Sequence, residues 1–141
     1  MTLEISKEIA DEDFVLSLLD RIKRFTEDKI YSREADVVAW SEYVNNNLRM
    51  FSLSDTPIDV EEILLTGVDN IIYKESPKAF TIKIKEKVFV KNVILDVETF
   101  CKTVNYGNLS MPGIHIFTDI LEDTEKNLDK LVDLYYSGEM I

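Results

Sequence analysis

Phe80, Ile82 and Ile84 alternate with Thr81, Lys83 and Lys85, and Val88 and Val90 repeat the pattern after Glu86 and Lys87. A period of two puts apolar side chains on one face of a strand and polar ones on the other. The pattern does not suit a helix, so a sheet with one buried face must form. A turn of Glu86-Lys87 alone would set Lys85 opposite Val88 and mix the faces. The connection Lys85-Glu86-Lys87 pairs Ile84 with Val88 and Ile82 with Val90, and register follows the apolar pattern. The expectation is a central antiparallel β-hairpin over 79–91. A lone hairpin is marginal in water, so it needs helices behind it, a third strand, or a partner strand at its open edge.

Helical spacing surrounds this stretch. Val15, Leu18, Leu19, Ile22 and Phe25 make one stripe over 12–30, with Asp11, Glu12 and Asp13 at its start and Lys29 near its end, an order that suits the helix dipole. A second helix is expected over 33–50, capped by Ser32, with Val37, Trp40, Val44, Leu48 and then Phe51 inward and a weakly helical Asn45-Asn46-Asn47 run near its end. A third starts with Thr56 as N-cap, Pro57 as first helical residue and Asp59 near the exposed amides, and it buries Val60, Ile63 and Leu64. Gly67 either ends this helix or marks a close packing contact, and Ile71-Ile72-Tyr73 continues the helix or forms a strand. Ser76-Pro77 stops either.

Further on, Asp96 caps a short helix whose stripe is Val97, Phe100, Cys101 and Val104, and Gly107 closes it. Residues 107–113 are a loop, and 114–117 is a candidate third strand. Asp119 with Glu122 has capping-box spacing into a last helix with Ile120, Leu121, Leu128, Leu131, Val132 and Tyr135 inward, ended by Ser137-Gly138. The expected fold class is α+β, in one domain spanning 1–141. It has a helical N-terminal half, a central antiparallel β-hairpin and a C-terminal amphipathic helix.

Charge is segregated. The chain carries a net charge of -11, yet residues 74–95 hold 6 lysines against 2 acids. Residues 50–73 hold 5 acids and no base, and residues 119–141 hold 7 acids against 2 bases. The first fifteen residues lack the basic and then apolar pattern of a signal peptide, no apolar run has the length of a membrane span, and Cys101 has no internal partner. A cytoplasmic setting is expected, with no membrane contact. Ile occurs 15 times, and Ala, Gly and Pro occur 4, 4 and 3 times, a skew towards AT-rich codons that suits a low-GC bacterium or its phage.

No catalytic pattern emerges. The four glycines are too scattered for a phosphate loop or a dinucleotide fingerprint, and one Cys with one His cannot build a four-ligand metal site. No cofactor and no metal are expected. His115 and Asp119 form an i, i+4 pair with Cys101 nearby in sequence, but burial is the commonest fate of a lone cysteine. Glu27-Asp28-Lys29 has nuclease-like E-x-K spacing but falls on a solvated helix face. Phe89 among lysines could stack on a single strand, whereas the acidity of the whole opposes approach to a polyanion, so direct nucleic-acid contact is not expected.

Two functional readings remain. The first is a non-enzymatic acidic binding protein, an adaptor or inhibitor of phage origin, that occupies a basic or nucleic-acid-binding surface of a host protein in the host cytoplasm. Its binding residues would be Asp59, Glu61, Glu62 and Asp69 on one acidic segment, and Asp119, Glu122, Asp123 and Glu125 on the other. Trp40 falls on a core stripe, while Tyr135 and Tyr136 point different ways, which makes Tyr136 the aromatic interface candidate. The second is a structural or assembly component of a phage particle or other homo-oligomer, in which the basic hairpin of one copy meets an acidic helix of the next.

Overall fold

The computed structural model describes residues 1–47, 57–90 and 93–139. In chain order the elements are β1 (Leu3–Ser6), α1 (Glu12–Ser32), α2 (Glu34–Asn47), α3 (Val60–Asp69), β2 (Ile71–Glu75), β3 (Ala79–Ile84), β4 (Val88–Val90), β5 (Val93–Leu95), α4 (Val97–Tyr106), α5 (Ile116–Lys126) and α6 (Leu128–Tyr136). The class is α+β, with helices dominating the N-terminal half and the C-terminal end.

The alternating stretch lies at the centre of a sheet ordered β1-β3-β2, antiparallel throughout. Ile82 sits between Leu3 on one side and Tyr73 on the other. Its inward row, Phe80, Ile82 and Ile84, is buried with Leu3, Ile5 and Ile71 against Phe14, Leu18 and Ile22 of α1. Thr81 and Lys83 lie on the outer face. The expected pairing of Ile84 with Val88 and Ile82 with Val90 therefore does not form. Both sides of β3 are already taken, and Val88 instead pairs with Leu95, Phe89 with Ile94 and Val90 with Val93 in a separate two-stranded sheet. The undecided Ile71-Ile72-Tyr73 is a strand, and the β2–β3 connection turns through Ser76-Pro77.

Helix α1 starts at Asp11, whose carboxylate accepts from the Phe14 amide. Its inward row runs Phe14, Val15, Leu18, Ile22, Thr26 and Ile30, and Phe25 turns outward. Thr26 can hold the core position because its hydroxyl donates to the Ile22 carbonyl at 2.7 Å, and the Arg21 guanidinium covers Phe25, 4.5 Å from the ring centre. Ser32 does not cap α2. It is the last residue of α1 and donates back to the Lys29 carbonyl, and Arg33 makes the break. Val37, Trp40 and Val44 are buried as expected; Leu48, Phe51 and Thr56 lie outside the described residues. Asn45 is helical and useful. Its amide donates to the Ile58 carbonyl and accepts from the Ile58 amide, and the Ser41 hydroxyl accepts from Val60, so α2 fixes the start of α3. Pro57 precedes that helix, and Asp59 is its N-cap, accepting from Glu61. Gly67 is a packing contact within α3: a Cβ there would come within 2.6 Å of the Cys101 Sγ.

Asp96 and Gly107 bound α4 as expected. The 107–113 loop is tight, with Gly107 at φ +80° and no room for a Cβ against Gly113. Trp40 donates its indole N–H to the Pro112 carbonyl and Arg33 donates to the Ile114 carbonyl, tying the loop to α2 and its entry. Residues 114–117 are not a strand. His115, in the left-handed region at φ 49°, precedes α5, which already begins at Ile116. Asp119 consequently sits inside the first turn and forms no capping box. The cap comes from another helix: buried Asn105 accepts from the amides of Phe117 and Thr118 at 2.9 and 3.1 Å. The expected single last helix is two, α5 and α6, divided at Asn127. Leu131 is buried, and the rest of the expected inner row packs partly buried against the core.

A buried donor left unpaired costs roughly 1–3 kcal/mol. Asn105→Ala strands two of them and is expected to lower the unfolding free energy by about 2 kcal/mol or more in a urea titration. An unchanged midpoint would show that Asn105 does not hold α5.

Candidate functional site

The turn after β1 carries the chain over the start of β3 and into α1. Lys7 donates its backbone N–H to the Lys78 carbonyl, and Ile9 closes a turn on Ser6. At the same end of the sheet β2 finishes at Glu75, and α6 delivers Tyr136. Together these enclose an open groove of about 500 Å³ lined by Lys7, Glu8, Ile9, Ala10, Asp11, Glu12, Glu75, Phe80 and Tyr136. Phe80 and Ala10 are buried and form its apolar base, while Ile9 and Tyr136 are exposed at 40% and 55%.

Two aromatic relays brace the walls. Tyr136 stacks edge-on against Tyr135, whose ring meets fully buried Phe14 at 5.5 Å, and the Tyr136 hydroxyl accepts from the Asp11 amide. Tyr73 meets Phe80 edge-on at 6.0 Å, and its hydroxyl donates to Glu12 at 2.9 Å. Each edge-to-face pair is worth about 0.5–1.5 kcal/mol beyond area burial, so Tyr136 and Glu12 are positioned rather than free rotors.

Four carboxylates line the groove against one ammonium. Lys7 pairs with Glu75 and lies 5.3 Å above the Phe80 ring, so a cation over this aromatic floor is already satisfied once within the chain. Lys74 points to the other face of β2 from Tyr73 and Glu75. Ionising Tyr73 would set a phenolate against the Glu12 carboxylate. The Tyr73 pKa is therefore raised, first by its hydrogen bond to Glu12, then by desolvation, then by the charges of Glu12 and Glu75.

The residues expected to bind are dispersed. Tyr136 is in the groove. Asp59 is spent as the α3 cap, with Glu61 and Glu62 in the turn that follows. Asp69 is exposed, with Lys23 held at its carbonyl oxygen. Asp119 pairs with Lys29 at 3.3 Å. Glu122, Asp123 and Glu125 lie on the exposed side of α5, and Asp123 lines a second groove of about 320 Å³ with Arg21, Phe25 and Lys130. The groove carboxylates Glu8, Asp11, Glu12 and Glu75 were missed. Asp11 and Glu12 fit a helix N-terminus, which hid their second role; Glu8 lies in the turn before that helix, and Glu75 joins them only through the sheet.

Cys101 is enclosed between α3 and α4, and burial pushes its thiol far up, leaving no thiolate at neutral pH. His115 is exposed, its ring edge-on to Tyr106. Among the described residues no cluster of three or more His, Cys, Asp or Glu is arranged to hold a metal, and no helix is long and apolar enough to cross a membrane.

At the other end of β3 stands the β4–β5 hairpin. Its inner residues Val88 and Leu95 are buried, while Phe89 and Ile94, directly opposite one another, are 76% and 61% exposed. Burying a Phe or Ile is worth about 1.5–3 kcal/mol, so this pair is an uncovered apolar surface of real weight. Exposed Lys85 and Lys87 stand at its base.

No family model matches the chain, and no significant match appears among curated proteins or solved structures.

A raised tyrosine pKa means that the Tyr73–Glu12 bond favours the folded state while the proton stays on, through neutral pH, and is lost as pH rises through the folded value. In an NMR titration the Tyr73 ring is expected to ionise above the usual tyrosine range, and Glu12→Ala is expected to bring it down by removing the hydrogen bond and the charge. Ionisation in the usual range in both proteins would contradict this geometry.

Proposed function

We propose that this chain is a non-enzymatic protein-binding module whose acidic groove receives a basic, partly apolar element of a protein partner. The observation that supports the reading best is the groove itself. It sets four carboxylates around an aromatic base and places Tyr136, braced through Tyr135 to the core, at its rim. Tyrosine in such a position supplies contact area at little entropic cost, and the carboxylates steer a basic partner and set its register. An adaptor or inhibitor works in this way, by covering a basic surface that its partner needs elsewhere. The acids of α3 and α5 add long-range attraction for the same partner.

A structural or assembly role is the second reading. What favours it is the uncovered Phe89–Ile94 pair on a hairpin whose base carries lysines. A chain that assembles with its own kind needs such a surface, and a monomeric inhibitor does not.

The acceptor reading is tested by calorimetry with a lysine-rich peptide carrying one phenylalanine, at low and high salt. Binding is expected, with affinity falling as salt rises. Glu8→Lys with Glu12→Lys is expected to weaken it by about tenfold or more, equivalent to about 1.4 kcal/mol. A peptide that binds the variant as well as the parent, or neither, would remove the groove from the account.

A further inference from the structure

We propose that the acidic groove takes the β4–β5 hairpin of a second copy of this chain, head to tail. The inference rests on the reading of the groove as an acceptor and names what fills it.

Phe89 and Ile94 face one another across the β4–β5 ladder and stand out from the surface, while Val88 and Leu95 beneath them are buried. The hairpin is thus anchored by one face and offers the other. What it offers is an aromatic ring and a branched aliphatic chain, with Lys85 and Lys87 at the base. The groove has the opposite character in both respects: exposed apolar groups in Ile9 and Tyr136, above a base where Lys7 covers Phe80, and a carboxylate excess that includes Glu8 and Glu12. The hairpin segment itself, residues 85–95, carries 3 lysines and 1 acid in a chain of net charge -11. Any second copy therefore presents the basic element that an acidic acceptor requires.

Topology makes the contact intermolecular. The groove lies at the Phe80 end of β3 and the hairpin follows its Ile84 end. Those positions are about 13 Å apart at the usual strand rise. With Val88 and Leu95 buried, the hairpin cannot fold back into its own groove without uncovering its anchor. A contact made from two different patches leaves one free donor and one free acceptor at each step. It closes into a ring if the rotation allows, and otherwise runs on as a filament.

Sedimentation velocity over a wide concentration range tests this. A donor variant carries Phe89→Ser and Ile94→Ser; an acceptor variant carries Glu8→Lys and Tyr136→Ala, with Glu8→Lys alone as a milder form. Amide spectra establish that each is folded. The parent is expected to grow in mass with concentration, each double variant alone to stay monomeric, and an equal mixture of the two to stop at a heterodimer. The Glu8→Lys protein is expected to self-associate about tenfold more weakly. A parent that is monomeric at every concentration would overturn the inference, as would variants that assemble like the parent or a mixture that stays monomeric. So would a hairpin that binds a single-stranded oligonucleotide through Phe89 while the protein stays monomeric. If the lysine-rich peptide still binds the groove in any of these cases, only the second copy is wrong; if it does not, the acceptor reading fails with it.

Discussion

Strand β3 is hydrogen-bonded on both sides, and the other features of the surface take their places from that. With Leu3 paired to Ile82 on one side and Tyr73 paired to it on the other, Phe80, Ile82 and Ile84 form the central row of the buried sheet face. The strand that follows cannot pair with β3. It must turn away and make its own ladder with β5, leaving a two-stranded hairpin with an uncovered outer face. At the opposite end, the return of the chain from β1 into α1 crosses the start of β3 and builds the groove. One pairing decision thus separates an apolar, lysine-flanked projection from a carboxylate-lined hollow.

The helices hold this arrangement through side-chain caps that pass between elements. Asn105 of α4 starts α5, Asn45 and Ser41 of α2 fix the entry to α3, and Trp40 secures the 107–113 loop. Asn105 stands in for the local cap that α5 lacks, and Asn45 and Ser41 add to the local Asp59 cap of α3, so these helix ends report tertiary packing. The Asn105 cap is costly to break because the amides that it satisfies are buried. Gly67 and Cys101 show the same economy: α3 and α4 approach too closely for a Cβ, and the thiol that fills the gap is inert.

Local signals were legible in the amino-acid sequence and relational ones were not. The stripe of α1, the Asp96 cap, the Gly107 stop and the strand character of Phe80 to Ile84 all depend on neighbours a few residues away. The partners of β3 do not. Leu3 and Ile5 alternate as Ile82 and Ile84 do, but four residues are too short a run to stand out. The nearby Val88 and Val90 offered a register just as consistent with the apolar pattern. Asp119 and Glu122 have capping-box spacing, yet spacing alone does not show that Asn105 reaches the same helix end first. The site was half visible for a related reason. Tyr136 lacks a place on the inner row of its helix and so stood out. The carboxylates around it come from two parts of the chain, whereas the runs of acid that dominate by count belong to caps, ion pairs and solvated faces.

The proposed self-association requires the two ends of β3 to be complementary surfaces. Amide chemical shifts of the isotope-labelled protein, followed through a dilution series, test it most directly. Concentration-dependent shifts are expected in two patches only, the groove around Lys7 to Glu12, Glu75 and Tyr136, and the hairpin around Phe89 and Ile94. Shifts that instead cluster on the exposed acids of α5 and leave both patches unmoved, or spectra that do not change with concentration, would contradict it.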